Sequence, residues 1–439
     1  MGNFLKENIR KTGNESAKSI KKLLRQRWFV VVIALLLTGL GASITSVSFK
    51  TGIYFINNWR LNLLDKFPPF IVLPLFGLVG GGLSGFLIKN FAPAAKGSGV
   101  SQIMGFLRHK QVPMNLKVGL IKLISGIIAI GSGFPLGPEG PSVQMGGSVA
   151  WQMAKWLRAP VAFRRVIVAA GGGAGIAAVF SAPLGGFVYA IEELLNSARP
   201  VILLLVIITT FIADSSAIFL KGGIDEPTYK IEFLFSSLDF IRLILLGGFI
   251  GIIAELYSKY ILMMQNFGKR LYKNKFVLKM SICGFILGSI YSILGDEFHY
   301  LDNLKTIIVT QSDIDIRLPI ITVFVLFITS GLAAASGAPG GLFYPMLILG
   351  GAIGLILGSS SWIPETAIST YIFAGMGAFV AGCSRTPITA MFLAFALTKN
   401  LLIMKPVLIS CIASFLIARV FNEESIYERQ IQIELDEHD

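Results

Sequence analysis

The chain is 439 residues long, 54% hydrophobic and only 14% charged, with a mean hydropathy of +0.72. A soluble globular protein carries about 25% charged residues, so this composition argues against one and points to a polytopic, all-α membrane protein. The net charge of +13 does not imply nucleic acid, because many of the cations lie outside the apolar runs, and alternating strands of the outer-membrane barrel type are absent.

Residues 1–27 form a basic leader. Lys6, Arg10, Lys11, Lys18, Lys21, Lys22, Arg25 and Arg27 all precede the first apolar run at 28–49. This positive-inside pattern predicts a cytoplasmic N-terminus. The spacing over 16–27 allows either a short amphipathic helix on the membrane surface or an unstructured leader. The apolar run is too long for a signal-peptide core and lacks a convincing cleavage site. A polar turn is predicted at Asn57-Asn58-Trp59-Arg60, then a second span over 70–88 whose glycines allow close packing.

Gly97-Ser98-Gly99 opens a helix over 101–108 that is too short to cross a bilayer. Such half-helices are tolerated at membrane depth where they are buried or line a cavity. An apolar helix over 115–130 carries Lys122 in mid-span, facing a partner or polar cavity, or else snorkelling to an interface. Then glycines and prolines from 131 to 147 enclose one carboxylate, Glu139, with a helix following over 141–157. A helix N-terminus has unpaired N–H groups and partial positive charge, which suits an anion. Glu139 is therefore either a structural capping carboxylate or a group sharing one seat with a dissolved anion.

Next come a basic turn at Arg164-Arg165, a small-residue helix around 169–175, a break at Ser181-Ala182-Pro183, a helix over 184–194 ending in Glu192-Glu193, and a span over 200–220. A polar loop at 221–239 divides the chain. Spans follow over 240–264, 280–294 and 318–335, with a second polar loop at 295–317. A second Gly/Pro run at 336–345, two spans around Arg385-Thr386-Pro387, a last span over 406–420 and a charged tail complete the sequence. The organisation read from this is a cytoplasmic basic segment (1–27), a first membrane repeat (28–220), an inter-repeat loop (221–239), a second membrane repeat (240–421) and a cytoplasmic tail (422–439). Cys283, Cys383 and Cys411 read as small core residues, and His109, His299 and His438 are scattered. Neither disulfides, a metal set nor a cofactor is implied.

The halves superpose in sequence at an offset of 204. Gly133 and Pro135 fall on Gly337 and Pro339, Pro141 on Pro345, Gly146 and Gly147 on Gly350 and Gly351, and Pro183 on Pro387. Ala170, Gly171, Gly173 and Ala174 keep the same register with Ala374, Gly375, Gly377 and Ala378. Transporters with repeated halves of broken helices bind substrate where helix ends converge. The carboxylates do not repeat: Glu139 falls on Phe343 and Glu193 on Leu397. The backbone scaffold is thus read as architecture and the acids as function.

Four motifs in order carry a resemblance: Gly97-Ser98-Gly99-Val100, Gly137-Pro138-Glu139-Gly140-Pro141, Ser181-Ala182-Pro183-Leu184 with Glu192-Glu193, and Gly341-Leu342-Phe343-Tyr344-Pro345. Together they resemble the CLC family of chloride channels and chloride/proton antiporters, over nearly the whole chain. The resemblance implies a homodimer whose subunits are inverted-topology repeats of about eighteen tilted and broken helices, in a prokaryotic inner membrane with both termini cytoplasmic. It implies chloride and protons as the transported species. By position, Ser98, Leu342, Phe343 and Tyr427 would bind the anion, Glu139 would be the gating and external proton-transfer group, and Glu193 the internal one. Gly137, Gly140 and Lys122 would support them. Two departures stand out. Pro138 replaces a common arginine or lysine, removing a donor and a cation from the outer rim, and Val100-Ser101-Gln102 replaces the frequent Ile-Pro-Glu. The favoured expectation is a chloride/proton antiporter; the alternatives are a passive chloride channel of the same fold, an intramembrane enzyme, for which no catalytic set is visible, and a sodium-coupled carrier, for which the acidic ligand cluster is missing.

Overall fold

The computed structural model describes residues 2–197, 199–222, 237–271, 275–310, 316–360, 363 and 367–435, the side chains of 2–28, 237, 434 and 435 excepted. The first half comprises α1 (Gly2–Leu64), α2 (Pro69–Phe91), α3 (Val100–Leu107), α4 (Leu116–Gly131), α5 (Glu139–Trp156), α6 (Val161–Phe180), α7 (Pro183–Tyr189) and α8 (Pro200–Leu220). The second comprises α9 (Ser237–Leu271), α10 (Phe276–Ile293), α11 (Leu301–Thr310), α12 (Arg317–Ser336), α13 (Phe343–Gly358), α14 (Ile368–Ser384), α15 (Pro387–Thr398) and α16 (Met404–Phe421), followed by α17 (Ile426–Leu435). Among the described residues, eight helices are long and apolar enough to cross a membrane, and the protein is an integral, multi-pass membrane protein.

The offset of 204 seen from Gly133 to Pro183 also holds for helix starts. It carries the start of α5 onto the start of α13, α7 onto α15 and α8 onto α16. The turns repeat as well: Gly133 and Gly337 both take positive φ, 106° and 79°, and so do Ser181 and Arg385, at 49° and 63°. The contacts between helices are also duplicated. A Cβ on Gly146 would strike the backbone of Gly171, and a Cβ on Gly350 would strike the backbone of the matching Gly375. The two halves join through α2 and α10, where Gly77 and Gly284 each leave room for the other's carbonyl. Helices that approach this closely gain backbone-level van der Waals contact, which is what drives association where lipid removes the hydrophobic term.

Two stretches depart from the sequence reading. Residues 57–60 are not a turn but part of α1, with Asn57 and Arg60 buried. Their polarity is satisfied from afar: Arg60 Nη2 donates to Asn57 Oδ1 at 2.7 Å and to the His299 carbonyl. Residues 295–310 are not an open loop. A short turn, Asp296–His299, leads into α11, which packs on α13. Most of the 221–239 linker, 311–315 and the last four residues of the tail lie outside the described residues, as do the side chains of the basic leader, whose backbone continues as helix into the first span.

The tail that is described is anchored by charge. Glu255 of α9 receives Arg385 Nη2 at 2.8 Å and both terminal nitrogens of Arg429, at 2.9 and 3.1 Å. Glu255 is 2% and Arg429 9% exposed, so this three-member cluster ties α17 to the membrane core. Breaking such a buried set leaves uncompensated charge, a cost of about 3–5 kcal/mol. Glu255→Ala is expected to lower the thermal midpoint in detergent and expose α17 to protease; an unchanged midpoint and digestion pattern would remove the cluster from the stability of the fold. Gly77→Val meets an opposing main chain that cannot yield, and overpacking costs about 1–3 kcal/mol. It should lower the midpoint, while Gly248→Ala, where only Ile417 lies near at 3.8 Å, should not; equal midpoints for the two variants would contradict the close approach.

Candidate functional site

The site is organised by one reciprocal contact between equivalent residues. Gly137 N–H donates to the Gly341 carbonyl at 2.8 Å, and Gly341 N–H donates back to the Gly137 carbonyl at 2.7 Å, an isolated antiparallel bridge. Each glycine immediately precedes a helix start. In α5 the ladder begins with Ser142 N–H to Pro138 O at 3.0 Å, and in α13 with Met346 N–H to Leu342 O at 3.1 Å. The bridge therefore brings together two helix N-termini, each with main-chain donors left over and a positive dipole end. Glycine is required at both positions. A Cβ on Gly137 would strike the Glu139 carboxylate and Tyr344 Cβ, and one on Gly341 would lie 2.8 Å from Gly140 N.

Glu139 is the first residue of α5, rather than preceding a helix that starts at Pro141. It is 2% exposed, and neither carboxylate oxygen has a hydrogen-bond partner among the described residues. A capping carboxylate would be engaged by the N–H groups of the first turn; this one is not.

Ser98 enters from the other side. Its carbonyl packs where a Cβ on Gly140 would be, and the next residue, Gly99, takes φ +99° with its hydrogens against the Gly140 main chain. Gln102 stabilises this turn, accepting from Gly99 N–H at 2.7 Å and donating to Lys96 O at 3.1 Å. The residue that departs from the family pattern is thus a capping group. Ser98 Oγ lies 3.5 Å from Ser101 Oγ, the outer limit of a hydrogen bond, so it is held only weakly. Lys122 does not snorkel. It is wholly buried and donates to the carbonyls of Ala95 at 3.0 Å, Lys96 at 3.4 Å and Gly97 at 2.6 Å, which fixes the segment leading into Ser98. Gly97 N–H in turn donates to Gly337 O at 3.0 Å, joining this turn to the second half.

Leu342 and Phe343, 2% and 4% exposed, supply the α13 start, with the Phe343 ring 5.8 Å from that of Phe180. Tyr427 stands on α17. It is 1% exposed and interacts electrostatically with Glu139 and Glu193. The structure also separates the two adjacent acids. Glu192 accepts from Ile388 N–H at 3.2 Å, Thr389 N–H at 2.8 Å and the Thr389 hydroxyl at 2.7 Å; it is the cap of α15. Glu193, 6% exposed, receives the Ser425 hydroxyl at 3.3 Å. Both lie within a π turn over Ala190–Leu195, a distortion frequent at functional sites.

Two groups near the site were not legible from motifs. Tyr189, 3% exposed, has a hydroxyl with no partner among the described residues and interacts electrostatically with Glu193, Tyr427 and Glu139; its position four residues before Glu193, on the same helix face, was its only signal. Beside the starts of α5 and α13, a cavity of about 340 Å³ ends against Pro138 and Tyr344 and is lined by Lys50, Lys221 and Lys305, with Asp302. These lysines put positive charge at the rim where Pro138 supplies none. Burial alone would raise the Asp302 carboxyl, but Lys305 and the Tyr344 hydroxyl hold it below its ordinary value.

Comparison with known proteins gives a consistent family. The family described as "Voltage gated chloride channel" matches residues 80–419. The chain is 29% identical over 427 residues to the H(+)/Cl(-) exchange transporter ClcA of Vibrio parahaemolyticus, covering 91% of this chain and 89% of the relative. It is 30% identical over 421 residues to ClcA of Vibrio vulnificus, covering 90% and 87%. Among solved structures, a slow cyanobacterial Cl−/H+ antiporter superposes with a TM-score of 0.85 at 27% identity, covering 93% of this chain and 98% of the other. A CLC-type fluoride/proton antiporter shares the fold, with a TM-score of 0.80 at 18% identity over 91% of this chain and 97% of the other. With the family match running from α2 to α16 and the inverted repeat meeting at a glycine bridge, the chain belongs to the CLC family of voltage-gated chloride channels and transporters.

Proposed function

We propose that the protein exchanges chloride for protons across the membrane, with Glu139 as the moving group. The observation that carries this reading is a fully buried carboxylate, without a hydrogen-bond partner, set between two helix N-termini. An anion leaving water for such a place loses hydration. Preorganised N–H dipoles offset that loss without the full charges that would trap the ion. Ionised, Glu139 is itself the anion at this junction. Protonated, it no longer needs the dipoles and chloride takes its place, held by the Ser98 and Tyr427 hydroxyls and the Leu342 and Phe343 N–H groups. Each proton taken up by Glu139 thus accompanies anion movement in the opposite sense.

Glu193 serves as the inner proton group. Its neighbour Glu192 is engaged as a helix cap, which leaves Glu193 as the acid directed to the interior, with Tyr427 electrostatically coupled to both carboxylates. The names of the ClcA relatives and of the cyanobacterial neighbour support antiport. We further propose that the chain is not an enzyme, that it works as a homodimer in an inner membrane and that both termini face the cytoplasm, the last from the basic leader.

In liposomes given a chloride gradient, chloride movement is expected to drive protons uphill, recorded as external pH; chloride flux without proton movement would assign the passive channel instead. Glu139→Gln should keep chloride flux and lose proton pumping, because the neutral amide cannot carry the proton. Glu193→Gln should likewise stop proton movement while chloride flux persists. Normal proton pumping in either variant removes that residue from the mechanism.

A further inference from the structure

Tyr344, the residue after Phe343, is fixed at both ends. At its base, Tyr344 Cβ lies where a side chain on Gly137 would be, beside the Glu139 carboxylate. At its tip, the Tyr344 hydroxyl donates to Asp302 Oδ1 of α11. Asp302 is itself constrained: Lys305 Nζ is 3.0 Å from Oδ1, and the Tyr300 hydroxyl donates to Oδ2 at 3.1 Å. Lys305 Nζ also stands 5.2 Å from the Tyr344 ring centroid, a cation–π contact. Tyr300, Asp302, Lys305 and Tyr344 all line the outer cavity, whereas Glu139 does not. Tyr344 therefore lines the cavity while its Cβ lies beside the carboxylate.

A side chain held by its backbone alone can move between staggered rotamers. Tyr344 cannot do so without breaking a bond to an ionised acceptor, and such bonds are among the stronger ones in proteins. We propose that Tyr344 is a positioning residue for exchange: a ring latched by Asp302 and Lys305 that covers the outer side of the Glu139 seat and limits how fast anions pass between seat and outer cavity. The proposal rests on the reading of Glu139 as the group sharing the anion's seat. It gives α11 a task that no motif marks, since the latch joins residues 42 positions apart. It also supplies the outer side of this chain with control that does not depend on a cation at position 138.

The test uses the full-length protein in liposomes, with chloride exchange followed by radioactive chloride uptake. Tyr344→Phe keeps the ring, the main chain and every charge, and removes only the latch. It is expected to raise the exchange rate about ten-fold, as for loss of a hydrogen bond to a charged group. Asp302→Asn should raise it similarly, and the double variant should be no faster than the faster single one, because both remove the same latch. Thermal midpoints report folding of each variant. A Tyr344→Phe protein that folds normally but exchanges at or below the parental rate overturns the latch, as does a double variant whose effects multiply. Failure of the Glu139 reading is seen separately, as parental protein that moves chloride without pumping protons.

Discussion

The reciprocal hydrogen bonds between Gly137 and Gly341 are the constraint on which the rest depends. Two main-chain segments can approach this closely only where neither carries a side chain, and both lie at helix starts. The contact fixes where the leftover donors of α5 and α13 meet. Everything with chemical potential is arranged around it: a carboxylate on one helix, a phenylalanine at the equivalent place on the other, a serine turn packed on Gly140 and a tyrosine from the last helix. Symmetry makes the junction, and Glu139, which falls on Phe343, is the acid that breaks the symmetry there.

Most of this framework is visible in the sequence because glycine and proline act locally. A positive φ at Gly133 or a helix start at Pro183 is written in the residue that adopts it, so a fixed register of such residues reveals a repeat before any helix is seen. The same local logic misleads where polarity is satisfied at a distance. Asn57 and Arg60 look like a turn; they are helical because the His299 carbonyl, far along the chain, receives the guanidinium. The loop after α10 looks solvent-exposed because Asp302 and Lys305 are charged, yet its helix packs on α13 and reaches the site.

The adjacent pair Glu192-Glu193 shows the limit more sharply. Nothing in the two letters distinguishes them. Their fates differ because α15, from the other half of the chain, presents an uncapped N-terminus to one of them. A helix that widens into a π turn at this point turns successive side chains to different neighbours, and no periodicity of hydrophobic residues records it. Gln102 is a further example: its role as the cap of the serine turn follows from a contact with Gly99 and Lys96 that only the folded chain creates.

Lys122 illustrates how a buried cation can act through the main chain. Its ammonium is enclosed by three carbonyls, among them that of Gly97. In a trans peptide the C=O and N–H of one plane point in opposite directions, so the ammonium that draws in the Gly97 carbonyl turns the N–H of Ser98 away from itself. The charge is thereby converted into one oriented peptide dipole, positive end leading, at the turn that carries the serine, while the N–H groups of Lys96 and Gly97 donate to the carbonyls of Pro93 and Gly337. A monopole holds an anion tightly; a single oriented dipole offers a shallower well, from which an anion can also leave.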